Sequence, residues 1–176
     1  MKGKKIILLA VLIGIAAVIA VGLKEAGNGK KVVAVGLYSP DFSVVNTATG
    51  KAVSSADLKG KVLFVHFWAS WCKVCNDEMP TVNSLAADMT ANSDFRMITI
   101  LYRDSPEKGA AYMADKGFQF PVFTDPDENA AKTFGVTGVP ETYIIDRKGV
   151  LRGKVIGETD WNSPEARQLI TSLLKS

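Results

Sequence analysis

The stretch Val62–Cys75, which reads VLFVHFWASWCKVC, decides the fold of this chain. Its first part, Val62–Trp68, is apolar on both faces except for one histidine, a pattern typical of a central strand in a sheet that is covered on both sides. From Cys72 onward the apolar residues recur at spacings of three and four, which predicts an amphipathic helix. A strand therefore leads into a helix, and two cysteines lie at the junction.

The cysteine pair predicts redox chemistry. Cys72 and Cys75 are the only cysteines in the 176 residues, and a Cys-x-x-Cys pair between a strand and a helix suggests a redox dithiol. If Cys72 caps the helix, the N-terminal amides and the helix dipole favour its thiolate, and Lys73 adds a positive charge. We therefore predict that Cys72 attacks a target disulfide and that Cys75, the resolving thiol, releases the mixed disulfide.

Two other uses of the cysteines fit the sequence less well. A tetrahedral zinc site requires four ligands, and beyond the two thiols the chain offers one histidine, His66, and carboxylates. A purely structural bridge across so short a loop would restrict the unfolded chain little. We therefore predict no metal and no cofactor other than a redox-active Cys72–Cys75 disulfide.

The N-terminal part of the chain predicts a membrane anchor. An uncharged apolar run of eighteen residues, Ile6–Leu23, follows three lysines within residues 1–5 and is long enough to cross most of a bilayer core of roughly 30 Å. We predict a cytoplasmic N-terminus at residues 1–5, a transmembrane anchor or uncleaved signal at 6–23, a linker at 24–35, and a domain at 36–176 outside the cytoplasm. The alternative is cleavage near Ala20-Val21-Gly22, which would leave a soluble periplasmic form.

The distribution of charge excludes nucleic acid as an implied partner. The formal net charge is +3, but residues 1–31 carry six lysines and one glutamate, so the remaining residues carry fifteen basic and seventeen acidic side chains. The predicted domain is therefore slightly acidic, and nucleic-acid binding is not expected.

The rest of the chain predicts an α/β domain. Residues 36–61 contain a hairpin-like pattern that ends in a helical turn near Gly60. Strands are predicted at 95–101, 121–123, 142–145 and 150–156, and helices begin at Ser105, Asp127 and Ser163. Strands that alternate with helices and end in a hairpin indicate a central mixed sheet flanked by helices, with an N-terminal β-hairpin added.

Two segments resemble a known family. Residues 67–75, FWASWCKVC, and residues 138–146, GVPETYIID, resemble the thioredoxin superfamily. Pro40-Asp41-Phe42 and Leu58-Lys59-Gly60-Lys61 bring the chain closer to the TlpA/ResA/CcmG (DsbE) group of membrane-anchored, extracytoplasmic thiol-disulfide oxidoreductases. The resemblance covers roughly residues 36–174 and implies a thioredoxin-like sandwich.

The resemblance implies roles for residues outside the cysteine pair. It makes Pro140 a cis proline against the cysteines, which would leave the backbone of Val139 free to pair with an extended substrate. An isolated Val-Pro would instead favour a trans turn proline. Trp71 is expected to shield the disulfide and to line the docking surface.

Three polar residues have two interpretations each. His66 stands where cytoplasmic thioredoxins carry a buried aspartate, and it either exchanges a proton with Cys75 near neutral pH or is a hydrogen-bonded core residue. Glu78 matches a glutamate of the ResA/CcmG pattern that acts near the active site, with a solvated helix carboxylate as the alternative. Glu141 resembles the CcmG version of its loop and either contacts a cationic substrate segment or is an exposed residue at the start of a strand.

The resemblance also implies a reaction direction and partners. Such proteins reduce protein disulfides, including those of apocytochrome c before haem attachment, and are themselves reduced by a membrane electron donor of the DsbD/CcdA type. An oxidising compartment already supplies general oxidants, which favours a reductant as well. The predicted function is a membrane-anchored protein-disulfide reductase that serves cytochrome c maturation. The alternative is a general disulfide reductase or oxidant.

Two rival classes share the fold. A peroxiredoxin-type peroxidase has Pro-x-x-x-Thr/Ser-x-x-Cys, but the corresponding positions here hold Val65 and Ala69. A copper-delivery module of the Sco type has Cys-x-x-x-Cys and a distant downstream histidine, whereas here the spacing is shorter and His66 lies upstream. Neither pattern fits this chain.

Overall fold

The computed structural model describes residues 32–176 as a seven-stranded sheet with four α-helices and one short 3-10 helix. The strands are β1 (Ser43–Asn46), β2 (Ala52–Ser54), β3 (Val62–Trp68), β4 (Phe95–Leu101), β5 (Val122–Thr124), β6 (Glu141–Ile145) and β7 (Leu151–Ile156). The α-helices are α1 (Lys73–Met89), α2 (Pro106–Lys116), α3 (Asn129–Phe134) and α4 (Pro164–Lys175), and the 3-10 helix is Ser55–Leu58.

The sheet is mixed, with the order β2-β1-β5-β4-β3-β6-β7. Strand β3 lies beside β4 in parallel and beside β6 in antiparallel pairing, so it is the central strand that its sequence predicts. All of its residues are buried. The carboxyl ends of β3 and β4 therefore lie at the same edge of the sheet, where Trp68 pairs with Leu101.

Two apolar cores cover the two faces of the sheet. Phe64 and Trp68 belong to one core, which includes Met79 and Leu85 of α1 and Ile170 of α4. The other core takes the alternate residues of β3 and is completed by side chains of α3, β1 and the 3-10 helix. Because successive residues of a strand point to opposite faces, an uninterrupted apolar strand contributes to both cores.

The N-terminal addition is the predicted hairpin. Strands β1 and β2 pair in antiparallel register, and β1 also pairs with β5. Ser54 caps the 3-10 helix by accepting from the Asp57 amide, while the Asp57 carboxylate accepts from the Ser54 amide. The prediction of an α/β sandwich with a mixed sheet and an added hairpin is confirmed.

Helix α3 is shorter than the sequence predicts. It begins at Asn129 rather than Asp127, because Glu128 has φ +53°, a left-handed conformation that a helical residue cannot adopt. The Asp125 carboxylate accepts from the Ala131 amide at 2.9 Å and so satisfies one free donor of the first turn. The predicted end at Gly135 is confirmed.

Within residues 32–176, the structure contains no helix with the length and apolar character needed to cross a membrane. The predicted anchor at 6–23 lies outside the described residues.

Candidate active site

The cysteine pair lies at the start of α1, where it forms a disulfide. Cys72 is the N-cap of the helix, and its Sγ atom accepts from the Cys75 amide at 3.1 Å. Side-chain acceptance at an N-cap satisfies a free helical donor and places the sulfur at the positive end of the helix dipole. Cys72 thus meets the condition under which the sequence analysis expected its thiolate to be favoured.

The two cysteines differ in access to solvent. Cys72 is 6% exposed and Cys75 is completely buried. A target disulfide can therefore approach Cys72 first, whereas Cys75 is reached only through Cys72. This asymmetry fits the predicted division into an attacking and a resolving thiol.

The loop before β6 packs against Cys72. The Val139–Pro140 peptide bond is cis, as the resemblance implied. The carbonyl oxygen of Val139 lies 3.5 Å from Cys72 Sγ. Together with the Pro140 carbonyl, which accepts from the Gly157 amide at 2.9 Å, this contact ties the loop to both the cysteine pair and the end of β7.

Exposed apolar side chains surround the disulfide. Trp71, Val74 and Ile156 are all exposed, although each is a large apolar residue. Val74 and Ile156 line a cleft of about 390 Å³ with Val139, Pro140, Glu141 and Lys154. Trp71 lies at the disulfide and borders a second cleft of about 450 Å³. Exposed apolar side chains beside a reactive group are typical of a site that binds another protein.

Asp104 is a site residue that the sequence analysis missed. Its carboxylate accepts from the amides of Ser70 at 2.7 Å and Ser105 at 2.9 Å, so it joins the loop before Cys72 to the start of α2. Trp71 reinforces this link by donating its indole N–H to the Arg103 carbonyl at 3.3 Å. An acidic residue just after β4 was a usable signal, because the parallel strands β3 and β4 end at the same edge.

Replacing Asp104 by Ala is expected to destabilise the oxidised domain by about 2 kcal/mol, because two amides lose a charged acceptor. Urea denaturation at pH 7 measures the change. Asp104→Asn is the matched control. It retains one acceptor oxygen, so its free energy of unfolding should decrease less than that of Asp104→Ala. Equal stability of Asp104→Ala and the unmodified protein would show that the two amides find other acceptors.

Glu78 is buried on α1, so the alternative of a solvated carboxylate is wrong. Its Oε1 atom accepts from the indole N–H of Trp161, whereas its Oε2 atom is buried without a partner. Burial raises the pKa of Glu78 to about 7, opposed by the hydrogen bond from Trp161. The carboxyl group of Glu78 is therefore expected to titrate near neutral pH. Trp161 was not identified from the sequence, because its contact with α1 depends on the path of the chain after β7.

The surroundings of Glu78 are acidic. It borders a cleft whose other acidic residues, Asp77, Glu158 and Asp160, are solvent-accessible. Glu158 contributes to the raised pKa of Glu78 through its negative charge. This side of the active-site end therefore carries a negative potential in solution.

His66 is a core residue. It is fully buried, and its Nδ1 atom lies 2.8 Å from Thr142 Oγ1, while its Nε2 atom has no partner. Burial lowers the pKa of His66 to about 3. The imidazole is therefore neutral near pH 7, and the expectation that it exchanges a proton with Cys75 there is not supported. The structure favours the hydrogen-bonded core histidine.

The imidazole of His66 is accordingly expected not to titrate between pH 5 and 8. The measurement is the chemical shift of its C2 proton, which is unambiguous because His66 is the only histidine in the chain. A titration midpoint near the ordinary pKa of about 6.5 would contradict this burial and restore the proton-exchange interpretation.

Glu141 is also buried, so the alternative of an exposed strand-start residue is wrong. Its Oε1 atom accepts from the Tyr143 hydroxyl at 2.6 Å and lies 3.4 Å from Lys154 Nζ. The ammonium of Lys154 also lies over the Tyr143 ring. The carboxylate thus has two partners within the domain, although Glu141 borders the cleft beside Val139.

Among residues 32–176, no group of three or more His, Cys, Asp or Glu side chains is arranged to hold a metal ion. The site brings together a disulfide, an apolar rim and the buried carboxyl group of Glu78, whose pKa burial raises to about 7.

The sequence and the fold both match known proteins. The model of the AhpC/TSA family matches residues 35–154. The thiol-disulfide oxidoreductase ResA of Bacillus thuringiensis (strain Al Hakam) is 33% identical over 132 residues, which cover 73% of each chain. The thiol:disulfide interchange protein DsbE of Pseudomonas fluorescens biotype C is 34% identical over 128 residues, which cover 72% of this chain and 68% of that protein.

A solved structure of a thiol:disulfide interchange protein also resembles this chain. The crystal structure of a thiol:disulfide interchange protein of the thioredoxin family from Chlorobium tepidum TLS superposes with a TM-score of 0.68 at 27% identity and covers 81% of this chain and 99% of the other. The region that matches the family contains the disulfide and the cis-proline loop. The chain therefore belongs to the AhpC/TSA family, with a thioredoxin-like fold, and is a thiol-disulfide oxidoreductase of the ResA and DsbE type with the Cys72–Cys75 pair.

Proposed function

We propose that the protein is a membrane-anchored reductant of protein disulfides outside the cytoplasm and that it serves cytochrome c maturation. The observation that carries the chemistry is the asymmetry of the cysteine pair, in which Cys72 is accessible and Cys75 is sealed. The anchor is the apolar run Ile6–Leu23. The direction and the substrate rest on the resemblance of the sequence to the TlpA/ResA/CcmG group, and the matched relatives are named as a thiol-disulfide oxidoreductase and a thiol:disulfide interchange protein.

The proposed reaction has two exchange steps. The Cys72 thiolate attacks one sulfur of a substrate disulfide, the substrate S–S bond breaks, and the other substrate sulfur leaves and takes up a proton. Cys75 then loses its proton and attacks Cys72 Sγ, which forms the Cys72–Cys75 disulfide and releases the second substrate thiol. The substrate gains two electrons and two protons, and a membrane donor of the DsbD/CcdA type restores the dithiol.

Several neighbouring residues have proposed roles in this reaction. The free backbone of Val139, held by Pro140, pairs with an extended substrate segment beside Cys72. Trp71 provides apolar docking surface. Glu78 exchanges a proton with the cysteine pair during the second step, because its pKa of about 7 lets it both accept and donate near neutral pH. Glu141 lines the substrate cleft beside Val139. Its carboxylate accepts a hydrogen bond from Tyr143 and pairs with Lys154.

The first test of the direction is the reduction potential of the Cys72/Cys75 couple, measured by equilibration with a glutathione or dithiothreitol series. A reductant fed from the cytoplasm is expected near the value of about −270 mV found for thioredoxin, or lower. A value near about −120 mV would indicate an oxidant and would contradict the reductase assignment.

The second test addresses the substrate. The reduced protein is mixed with an oxidised Cys-x-x-Cys-His peptide and, separately, with insulin as a general protein disulfide. Faster reduction of the haem-motif peptide supports cytochrome c maturation, and equal rates support a general reductase. Copper titration of the reduced protein and a hydrogen peroxide assay serve as controls for the copper-delivery and peroxidase alternatives. Tight stoichiometric copper binding at the two thiols would overturn the reductase assignment.

A further inference from the structure

Trp161 is a buried tryptophan whose indole contacts the carboxyl group of Glu78. It follows β7 in the chain, is 1% exposed, and donates its indole N–H to Glu78 Oε1. Its ring packs edge-on against the ring of Phe64 in β3, with the two ring centroids 4.7 Å apart. Because such a pair has a preferred geometry, this contact fixes the plane of the indole and the position of its N–H relative to the sheet.

The backbone of Trp161 is tied to the same part of α1. Its amide donates to Thr81 Oγ1 at 3.1 Å, and the Thr81 hydroxyl donates to the Glu78 carbonyl at 2.8 Å. Thr81 follows Glu78 by three residues, so the two lie on neighbouring turns of one helix face. Trp161 is therefore joined to the Glu78 turn through both its side chain and its backbone.

The second carboxyl oxygen of Glu78 has no partner. Cys75 precedes Glu78 by three residues on α1, and both side chains are buried. Residues three apart share a helix face, and helical side chains lean toward the N-terminus, so the Glu78 carboxyl group extends toward the turn that carries Cys75. Since Trp161 occupies Oε1, Oε2 is the oxygen that is left to exchange a proton.

The charged groups around Glu78 do not replace the contact with Trp161. Three exposed carboxylates share its cleft and favour its protonated form, namely Asp77, Glu158 and Asp160. On β3, burial lowers the pKa of His66 to about 3, so this residue carries no charge near pH 7. On α4, Arg167 is paired, with its Nη2 atom 2.8 Å from Asp88 Oδ2. Of these side chains, the Trp161 indole is the one that stabilises the carboxylate form of Glu78.

We propose that Trp161 is a positioning residue for the second exchange step, because its indole holds the Glu78 carboxylate so that Oε2 takes the proton of Cys75. In this step the Cys75 thiol gives its proton to Oε2, and its sulfur attacks Cys72 Sγ. The bond between Cys72 and the substrate sulfur breaks, and its electron pair leaves with the substrate thiolate. The inference rests on the role of Glu78 in the proposed function.

The first experiment needs no variant of the core. The indole N–H resonances of the three tryptophans are followed by NMR from pH 5 to 9 in the oxidised full-length protein in detergent micelles. The Trp161 resonance is expected to shift with a midpoint near pH 7, because its acceptor changes from a carboxylic acid to a carboxylate. Trp71, whose indole donates to the Arg103 carbonyl, should show no such transition. A Trp161 resonance that is constant over this range overturns the inference.

The second experiment measures the exchange step itself. When the reduced full-length protein is mixed with one equivalent of dithiobis(nitrobenzoate), the attack by Cys72 releases one nitrobenzenethiolate and the attack by Cys75 releases a second. Trp161→Phe keeps an aromatic ring but lacks the N–H. It is expected to raise the pH midpoint of the second phase by about one unit, the shift expected when a carboxylate loses one hydrogen bond. At pH 7 the second phase should be about fivefold slower.

The controls separate the hydrogen bond from general packing. Trp68→Phe is the matched control, because it also removes a buried indole, but one whose N–H has no partner. It should leave the pH midpoint of the second phase unchanged. Thr81→Val removes the acceptor of the Trp161 amide and should raise the midpoint, whereas Thr81→Ser should restore it. The Thr81 variants retain the indole, so they test the inference even if Trp161→Phe does not fold.

The outcomes distinguish the inference from the proposed function. In Glu78→Gln the Trp161 resonance should not titrate, and the second phase should lose its transition near pH 7. If the second phase of Glu78→Gln keeps this transition, the proposed role of Glu78 is wrong and the inference fails with it. If Glu78→Gln removes the transition but Trp161→Phe leaves the midpoint in place, only the inference is overturned. An equal shift in Trp68→Phe would also overturn it.

Discussion

Replacing Cys72 by Ser is expected to reduce disulfide-reductase activity by at least about 10³-fold, the order found when an enzyme loses its nucleophile. Cys72 is the cysteine that solvent reaches, and its sulfur lies at the N-terminus of α1 beside the Val139 carbonyl. A serine hydroxyl at this position does not ionise near neutral pH, so it cannot attack a disulfide. Insulin reduction by a dithiol-driven assay measures the loss.

Replacing Cys75 by Ser is expected to give a different defect. Cys72 can still attack, but no resolving thiol remains, so the mixed disulfide between Cys72 and the substrate accumulates. Non-reducing gel electrophoresis followed by mass spectrometry detects this species. Since the Cys75 position is fully buried, external thiols should release the trapped substrate only by attack at the Cys72–substrate bond.

The double variant Cys72→Ser/Cys75→Ser is the matched control and should trap nothing. If Cys72→Ser traps substrate and Cys75→Ser does not, the assigned order of the two thiols is reversed. Because both single variants lack the disulfide, their stability should be compared with the reduced rather than the oxidised protein.

The second large effect is expected when Glu78 is replaced by Gln, which should change how the free energy of unfolding depends on pH. The folded protein holds a proton on Glu78 up to a pKa of about 7, whereas an unfolded glutamate releases it near 4.5. Between these values the unfolded state binds fewer protons, so this group lowers the free energy of unfolding as pH rises. Below pH 4.5 both states are protonated and the effect is absent. Above pH 7 it reaches about 3 kcal/mol.

His66 acts in the opposite direction. Its pKa is about 3 in the folded protein and 6.5 for an ordinary solvated histidine, so the unfolded state binds more protons between these values. The free energy of unfolding therefore rises with pH until about pH 6.5. The slopes from Glu78 and His66 oppose each other between pH 4.5 and 6.5, and the oxidised protein should have a nearly flat profile there.

Glu78→Gln should remove the contribution of Glu78, which lowers the free energy of unfolding as pH rises. The free energy of unfolding of the variant should then increase with pH up to about pH 6.5, because only the contribution of His66 remains. The glutamine oxygen can still accept from the Trp161 indole, so the packing is conserved. The measurement is urea denaturation of the oxidised protein from pH 4 to 8, with Asp77→Asn as the control from the exposed carboxylate next to Glu78. A variant profile parallel to that of the unmodified protein would show that Glu78 titrates normally.

The local sequence predicted most of the fold. The uninterrupted apolar run Val62–Trp68 required a central strand, because only a sheet covered on both sides buries every residue of it. Ser105 with Pro106, and Ser163 with Pro164, determined where α2 and α4 begin. The start of α3 was placed incorrectly, because the left-handed conformation of Glu128 depends on contacts that its neighbours in sequence do not reveal.

By itself, the sequence determined the reactive pair and its place at the start of a helix, because three-residue spacing and helix capping are local properties. Only the tertiary structure decided what the polar residues do. Glu78 is buried by Trp161, His66 by its position in the sheet, and Glu141 by Tyr143 and Lys154. Burial and hydrogen-bond partners set a pKa, and both depend on segments that are distant in sequence and meet only when the chain is folded.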